Sequence, residues 1–259
     1  MKFMQLLVSV TSETEVAAAL QGGADIIDIK NPREGALGAN FPHVIRRVRE
    51  CTPPAIPVSA AIGDAPNLPG TVALAALGAA TCGVQYVKVG LLGPQTAQDA
   101  LILLQQMCRA VRDARPDVQI IATAYADAHK VNALPPLALP AVARQAGVDG
   151  CLLDTAKKGE GTLLTHLSKE QLYTFVAQCQ GADLTCALAG SLGAQDVPYI
   201  CQFGADILGV RTAACQGGRV EGRVDADKVR HLKALIAAHA SPTSRPSATT
   251  LPVVPAAPR

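Results

Sequence analysis

An acid and an amine stand two residues apart, Asp28 and Lys30, at the end of an apolar run in ADIIDIKNPREGALGAN (24–40). On a strand, residues i and i+2 share a face, so both side chains would project together from a strand at Ile26–Lys30. Asn31-Pro32 stops that strand, and Gly35 and Gly38 let the following loop approach closely. A second lysine, Lys88, is embedded in the apolar run QYVKVG. Buried lysines are rare unless paired. Lys30 and Lys88 are therefore either salt-bridged structural residues, with Asp28 or Asp154 as partners, or groups for Schiff-base formation and proton transfer. A free lysine, with a pKa of about 10.4, is neutral at pH 7 in roughly 1 molecule in 2,500. Bringing that pKa to about 7 takes roughly 4–5 kcal/mol of differential interaction. Desolvation and a neighbouring ammonium supply such a shift. Either Lys157 or Lys158, in LLDTAKKGEG, can provide a further positive charge.

Asp28 and Asp154 are the acids placed to orient these lysines and to shuttle protons, Asp28 acting beside Lys30. The structural alternatives are a buried ion pair for Asp28 and a loop cap for Asp154. Asp64, in AAIGDAPNLPG, and Asp127, in TAYADAHK, fit loop-turn positions as well as catalytic ones. Tyr125 is a lone hydrogen-bond donor nearby. A third feature is anion chemistry. ALAGS (187–191) and GVRTAAC (209–215) close two late strands. Gly190, Ser191 and Gly209 offer backbone N–H groups at close approach, and Arg211 a charge-assisted contact, to a phosphate. The plain alternative is an ordinary loop with a structural arginine.

These residues need a frame, and the chain supplies a regular one. Strand patterns at Gln5–Val10, Ile26–Lys30, Ala55–Ala60, Gln85–Val89, Val118–Ala124, Gly150–Leu153, Leu184–Ala189 and Ile207–Val210 alternate with helical ones. The helices are expected near Glu13–Gln21, Pro42–Glu50, Thr71–Thr81, Thr96–Ala114, Leu137–Gln145, Lys169–Cys179, Ala194–Phe203 and Ala226–Ala240. Near-continuous apolar strands between helices argue for a parallel sheet covered by helices. Eight such units in about 240 residues match a (β/α)8 TIM barrel. A doubly wound sheet competes less well, because no G-x-G-x-x-G follows the first strand.

An internal repeat supports the barrel. GGADIIDIK, CGVQYVKVG, AGVDGCLLD and FGADILGVR each run from a helix-ending glycine (Gly23, Gly83, Gly147, Gly204) into an apolar strand and out to a polar residue. These are the even strands, ending in Lys30, Lys88, Asp154 and Arg211. The odd strands end in small or weakly polar residues, Ser9, Ser59, Ala124 and Ser191. In a barrel, catalytic groups come from C-terminal strand ends.

Composition narrows the function classes. The chain has 259 residues, 17% of them charged, with a formal net charge of +2. That charge, with no basic stripe and no Trp, argues against nucleic acid. No stretch of 18 apolar residues suggests a membrane span, and Met1–Val10 lacks the pattern of a signal peptide. The eight Cys are scattered without a C-x-x-C, and the five His lack paired ligand spacing. Buried thiols in a reducing, cytoplasmic setting are expected, not a metal site. Residues 1–240 form the expected catalytic barrel. Residues 241–259, rich in Pro, Ser, Thr and Ala, are expected to be a disordered tail.

The strings DIIDIKNPREGALGANFP, PVSAAIGD, PGT, YVKVGL, LLDTAKK, CALAGS and GVRTAAC together resemble the (5-formylfuran-3-yl)methyl phosphate synthase family, also called 4-(hydroxymethyl)-2-furancarboxaldehyde-phosphate synthase. The resemblance spans Leu6–Lys233. It implies a class I aldolase-like barrel that condenses two molecules of glyceraldehyde 3-phosphate into a phosphorylated furan aldehyde. Phosphate and water are released, and no metal or organic cofactor is required. It implies a Schiff base on Lys30, proton transfer by Lys88, support from Asp28 and Asp154, and a further lysine at Lys158, with Lys157 adjacent. Furan cofactors of the methanofuran type place such an enzyme in C1 metabolism. The expected partner is a small triose phosphate, and apolar barrel helices are compatible with a homo-oligomer. Rival readings are another lysine-dependent barrel aldolase and an inactive barrel that serves as a binding protein.

Overall fold

The structure is a computed structural model that describes residues 4–239; the expected tail at 241–259 lies outside the described residues. Eight parallel strands close into a barrel in sequence order: β1 (Gln5–Val10), β2 (Ile26–Ile29), β3 (Val58–Asp64), β4 (Tyr86–Gly90), β5 (Gln119–Tyr125), β6 (Gly150–Asp154), β7 (Thr185–Leu188) and β8 (Ile207–Val210). Leu7 of β1 pairs with Ile26 on one side and Gly209 of β8 on the other, which completes the ring. The outer layer includes helices Val16–Gln21, Pro42–Cys51, Pro69–Ala80, Ala97–Ala114, Leu139–Ala146, Lys169–Gly181, Val197–Ile200 and Ala226–His239. The fold is the (β/α)8 barrel expected from the strand–helix alternation.

The strands are apolar on both faces because each face is buried. Leu6, Val8 and Val10 of β1 face the helices with Ile27 and Ile29 of β2. Leu7, Ile26, Ile121, Leu152, Ala187 and Ile207 point inward and plug the barrel beneath its mouth. The same six residues line the cavity at the C-terminal end, where a barrel places its active site.

The four repeat glycines end the turns before the even strands in left-handed geometry, with φ of 89°, 86°, 78° and 72° at Gly23, Gly83, Gly147 and Gly204. The residue directly before each even strand has its own task. Asp25, Gln85, Asp149 and Asp206 accept a backbone N–H from the first or second residue of the preceding odd strand, from Leu6 (2.7 Å), Val58 (2.9 Å), Ile120 (2.7 Å) and Cys186 (3.0 Å). Four side chains thus stitch the N-terminal rim.

Several expected boundaries move. The apolar run Ala55–Ala60 suggests a strand, but Pro57 has no N–H to give a ladder. The strand β3 starts only at Val58 and continues to Asp64. β5 likewise runs on to Tyr125. The odd strands therefore do not all end in small residues, and Asp64 and Tyr125 belong to the mouth. The helix expected at Ala194–Phe203 is three short turns, Ala194–Asp196, Val197–Ile200 and Cys201–Phe203, broken around Pro198. Beyond β8 an unexpected antiparallel hairpin, β9 (Cys215–Gln216) and β10 (Arg223–Val224), stands beside the mouth. All eight cysteines are free, and all but Cys51 are buried. Among the described residues no His, Cys, Asp or Glu cluster is arranged to hold a metal ion, and no helix is long and apolar enough to cross a membrane.

Candidate active site

The barrel mouth holds a cavity whose walls include Asp28, Lys30, Lys88, Asp154, Lys158, Gly190, Ser191, Gly209 and Arg211. All nine were candidates in the sequence, whereas Asp64, Tyr125 and Asp127 are not among the residues that line it. Nor is Lys157, whose side chain is exposed while Lys158 lines the cavity. The choice between the two adjacent lysines falls on Lys158.

Asp28, on β2, is fully buried, and its partner is Lys88 of β4, not Lys30: Lys88 Nζ lies 2.7 Å from Asp28 Oδ1. Ser9, in register beside Asp28, donates to Oδ2 at 2.8 Å. The expectation that Asp28 orients Lys30 gives way for a geometric reason. Residues i and i+2 project in parallel along a strand, whereas a side chain two strands away can lean across the barrel to meet the carboxylate. On β6, Asp154 accepts Lys158 Nζ at 2.5 Å and the Thr155 backbone N–H at 2.7 Å. Burial pushes the Asp154 carboxyl up, but the charges of Lys158 and Lys30 outweigh it and hold the pKa below the ordinary value.

Lys30 stands between these two ion pairs without one of its own among the described residues. Its ammonium meets the Ala36 carbonyl at 3.4 Å, a long contact, and the residue is 7% exposed. Burial drives its pKa down to about 8; Lys158 and Lys88 push the same way, while Asp154 and Asp28 oppose them. Relative to an ordinary lysine, that is about 3 kcal/mol against the ammonium, and about 1 amine in 10 is neutral at pH 7.

Two further acids hold the loops that carry these groups. Asp64 accepts the backbone N–H groups of Ala36 (2.7 Å) and Leu37 (3.1 Å) and the Tyr125 hydroxyl. It thereby fixes the loop whose Ala36 carbonyl touches Lys30. Gly35 makes this possible: its φ is 143°, and a Cβ there would fall 2.0 Å from Asp64 Oδ2. Burial, and then the Asp64 charge, raise the Tyr125 pKa well above its usual value, so the phenol stays a donor. Asp127 does the same for the β6 loop, accepting the N–H groups of Ala156 (2.7 Å) and Lys157 (2.8 Å). Both acids act on loops, the plainer of the two roles their sequence positions allowed.

The β7 and β8 loops are less alike than their sequences suggest. Gly190 and Ser191 both adopt positive φ (109° and 55°), and the Ser191 hydroxyl lies 3.4 Å from Thr155 Oγ1, which also receives Lys158 Nζ at 3.1 Å. Arg211 is different. Its guanidinium donates to Glu15 Oε2 (2.7 Å) and to the carbonyls of Ser9 (3.0 Å), Gly222 (2.8 Å) and Arg219 (3.3 Å). Burial pushes the Glu15 carboxyl up, yet the Arg211 hydrogen bond and charge, with N–H groups from Thr11 and Val224, bring it below the usual range. Arg211 therefore buttresses the mouth, and the expected charge-assisted contact from its side chain to a phosphate is replaced by this internal network. Glu15 was not legible as its partner, because in sequence it resembles an exposed acid in the first turn of a helix. Arg219, also on the cavity wall, was missed because it lies in an unpatterned loop.

Comparisons with known proteins bear on the fold and on the family. Solved structures similar in fold include 3-hexulose-6-phosphate synthase from Salmonella typhimurium, with a TM-score of 0.63 at 18% identity, covering 91% of this chain and 100% of that one. Phosphoribosyl anthranilate isomerase from Thermus thermophilus gives 0.60 at 18% identity, covering 91% and 99%. At those identities the likeness extends to the barrel alone. Sequence relatives are much nearer. Proteins named (5-formylfuran-3-yl)methyl phosphate synthase are 49% identical in Methanococcus maripaludis, covering 88% of this chain and 98% of the relative. The protein of that name from Methanocaldococcus jannaschii is 48% identical, covering 90% and 99%. The 4-HFC-P synthase family matches residues 6–233, from the first strand into the last helix. The chain belongs to the (5-formylfuran-3-yl)methyl phosphate synthase family of enzymes.

Proposed function

We propose that this protein condenses two molecules of glyceraldehyde 3-phosphate into (5-formylfuran-3-yl)methyl phosphate, releasing phosphate and water, through a Schiff base on Lys30. The observation that carries this reading is the contrast among three lysines at one mouth. Lys88 and Lys158 each hold a carboxylate, while Lys30 is buried with only a distant carbonyl and a pKa of about 8. An amine depressed in this way is a nucleophile near neutral pH.

In the proposed sequence the neutral Lys30 amine attacks the first aldehyde and water leaves to give an iminium. The iminium acidifies the neighbouring C–H. Loss of that proton gives an enamine, which forms the carbon–carbon bond to the second aldehyde. Lys88 with Asp28, and Lys158 with Asp154, are the proton carriers, each ammonium donating beside a carboxylate that takes a proton back. Ring closure with loss of water and of one phosphate forms the furan, and hydrolysis of the imine consumes one water, releases the aldehyde and frees Lys30. The backbone turn at Gly190 and Ser191, beside the small Gly209, receives the phosphate of the first triose, and the buttressed Arg211 holds that wall in place. No step calls on a cofactor, and the reaction places the enzyme in furan-cofactor synthesis for C1 metabolism in the cytoplasm.

The test is product analysis. Purified protein given glyceraldehyde 3-phosphate should generate near-ultraviolet furan absorbance together with inorganic phosphate. A six-carbon adduct without furan absorbance would assign an ordinary aldolase, and no adduct at all would assign a binding protein.

A further inference from the structure

The hairpin after β8 brings a second cation to Lys30. Arg219, in the β9–β10 connection, is partly buried and donates only to backbone carbonyls: Pro32 (2.9 Å), Gly35 (2.5 Å) and Ala36 (3.3 Å). It forms no ion pair among the described residues. The Ala36 oxygen is the same one that Lys30 Nζ meets at 3.4 Å. A guanidinium and an ammonium thus converge on one neutral carbonyl, at the wall of a cavity that both line. A carbonyl carries only a partial negative charge, so two full positive charges there are undercompensated. The nearby acids do not complete the balance by contact. Asp64 is engaged by two backbone N–H groups and Tyr125, Asp154 by Lys158 and Thr155, and Asp28 by Lys88 and Ser9.

Arg211 makes the contrast plain. It has a carboxylate and three carbonyls, and its fork is nearly filled. Arg219 has three carbonyl contacts from its two terminal nitrogens and a fixed fork of five donors. A phosphate monoester is the ligand class that such a fork beside an ammonium recognises, because its dianion accepts from both.

We propose that Arg219 binds the phosphate of the second, acceptor triose phosphate, opposite in role to the Gly190–Ser191 turn that takes the first. The proposal rests on the two-triose condensation described above and supplies its missing anion subsite. It also gives the hairpin a function. The strand pair carries Arg219 over the β2 loop, so the acceptor's phosphate would be fixed next to the lysine that holds the donor.

The experiment loads the enzyme with limiting glyceraldehyde 3-phosphate and chases with phosphorylated or plain glyceraldehyde, reading six-carbon adduct by mass. Wild type should prefer the phosphorylated chase. In Arg219→Gln that chase should slow by about 10–100-fold, the usual scale for a lost charge-assisted contact, while the plain aldehyde changes less than about twofold on the same scale. Arg219→Lys should recover part of the preference as a point charge. Borohydride trapping of the first triose on Lys30 should be equal in all three proteins. A preference that survives in Arg219→Gln overturns the proposal. So does an equal slowing of both aldehydes, which would make Arg219 a loop tether only. Failure of wild type to trap an imine would instead sink the Lys30 mechanism. In that case phosphorus NMR titration with inorganic phosphate still decides Arg219: weaker binding in Arg219→Gln supports the subsite, and unchanged binding overturns it.

Discussion

The even strands carry polar side chains at both ends, and the two ends treat them differently. At the N-terminal rim Asp25, Gln85, Asp149 and Asp206 each accept one backbone N–H from the neighbouring odd strand. At the C-terminal rim Lys30, Lys88, Asp154 and Arg211 all face one cavity. Three of those four have full partners, and Lys30 does not. The lower rim satisfies its groups locally and gains stability. The upper rim gathers charges around an uncompensated amine, which costs stability and creates reactivity.

The sharpest break in that comparison comes from Lys30. Lys30→Arg keeps a cation but cannot form an imine, and turnover should fall by at least about 1,000-fold, within the range covalent and acid–base roles command. Lys30→Met should be equally inactive and yet more stable. The depressed pKa means that the unfolded chain holds this proton more tightly between pH 8 and the ordinary lysine value. Stability from this group therefore rises as pH climbs through that window, and below pH 8 the fold bears the whole cost. Lys30→Met should gain up to about 3 kcal/mol there, less what Asp154 loses with an attracting cation, and the gain should vanish near pH 10.5. Denaturant melts at two pH values read this directly.

Asp28→Asn comes next. It leaves Lys88 without its carboxylate, and kcat should fall by about 100-fold. Because the pair acts as one unit, adding Lys88→Met to Asp28→Asn should cost little more than Lys88→Met alone, a non-additivity that kinetics of the three variants can measure. Independent, additive losses would mean that the pair does not work together.

At the lower rim the signs reverse. Asp149→Ala removes the acceptor of the Ile120 N–H and a partner of Arg112. Stability should fall by about 1–3 kcal/mol, with kcat per folded molecule unchanged. A large loss of kcat would show that the rims are coupled and the division between them false.

Two smaller effects sharpen the upper rim. The rate should rise with pH to a limb near 8, as Lys30 loses its proton. Lys158→Met removes a charge that lowers the Lys30 pKa, so the limb should move to higher pH whatever happens to the plateau. Lys157→Ala, next door but exposed, should change kcat by less than about twofold, as surface substitutions usually do.

Much of this was legible in the chain because the barrel repeats its own grammar. Glycine, apolar strand and terminal charge located four strand ends without reference to any contact. Pairing was not legible. Asp28 and Lys30 share a face, but the ion-pair partner of Asp28 depends on barrel geometry, which brings Lys88 of β4 to it. The Asp, Gln, Asp, Asp series before the even strands sat inside the same repeat and went unnoticed, since its meaning lies in the N–H of another strand. The hairpin escaped because two-residue strands have no period, although Gly217-Gly218 between them is a hairpin turn signal. With it escaped Arg219 and the second anion site proposed for it.

The central claim is that Lys30 is the reactive amine. Borohydride added to protein and glyceraldehyde 3-phosphate, followed by peptide mass spectrometry, tests it most directly. A reduced triose-phosphate adduct on Lys30, absent from Lys30→Arg and growing as pH rises toward 8, is the result predicted. An adduct on Lys88 or Lys158, or none while furan still forms, would contradict it.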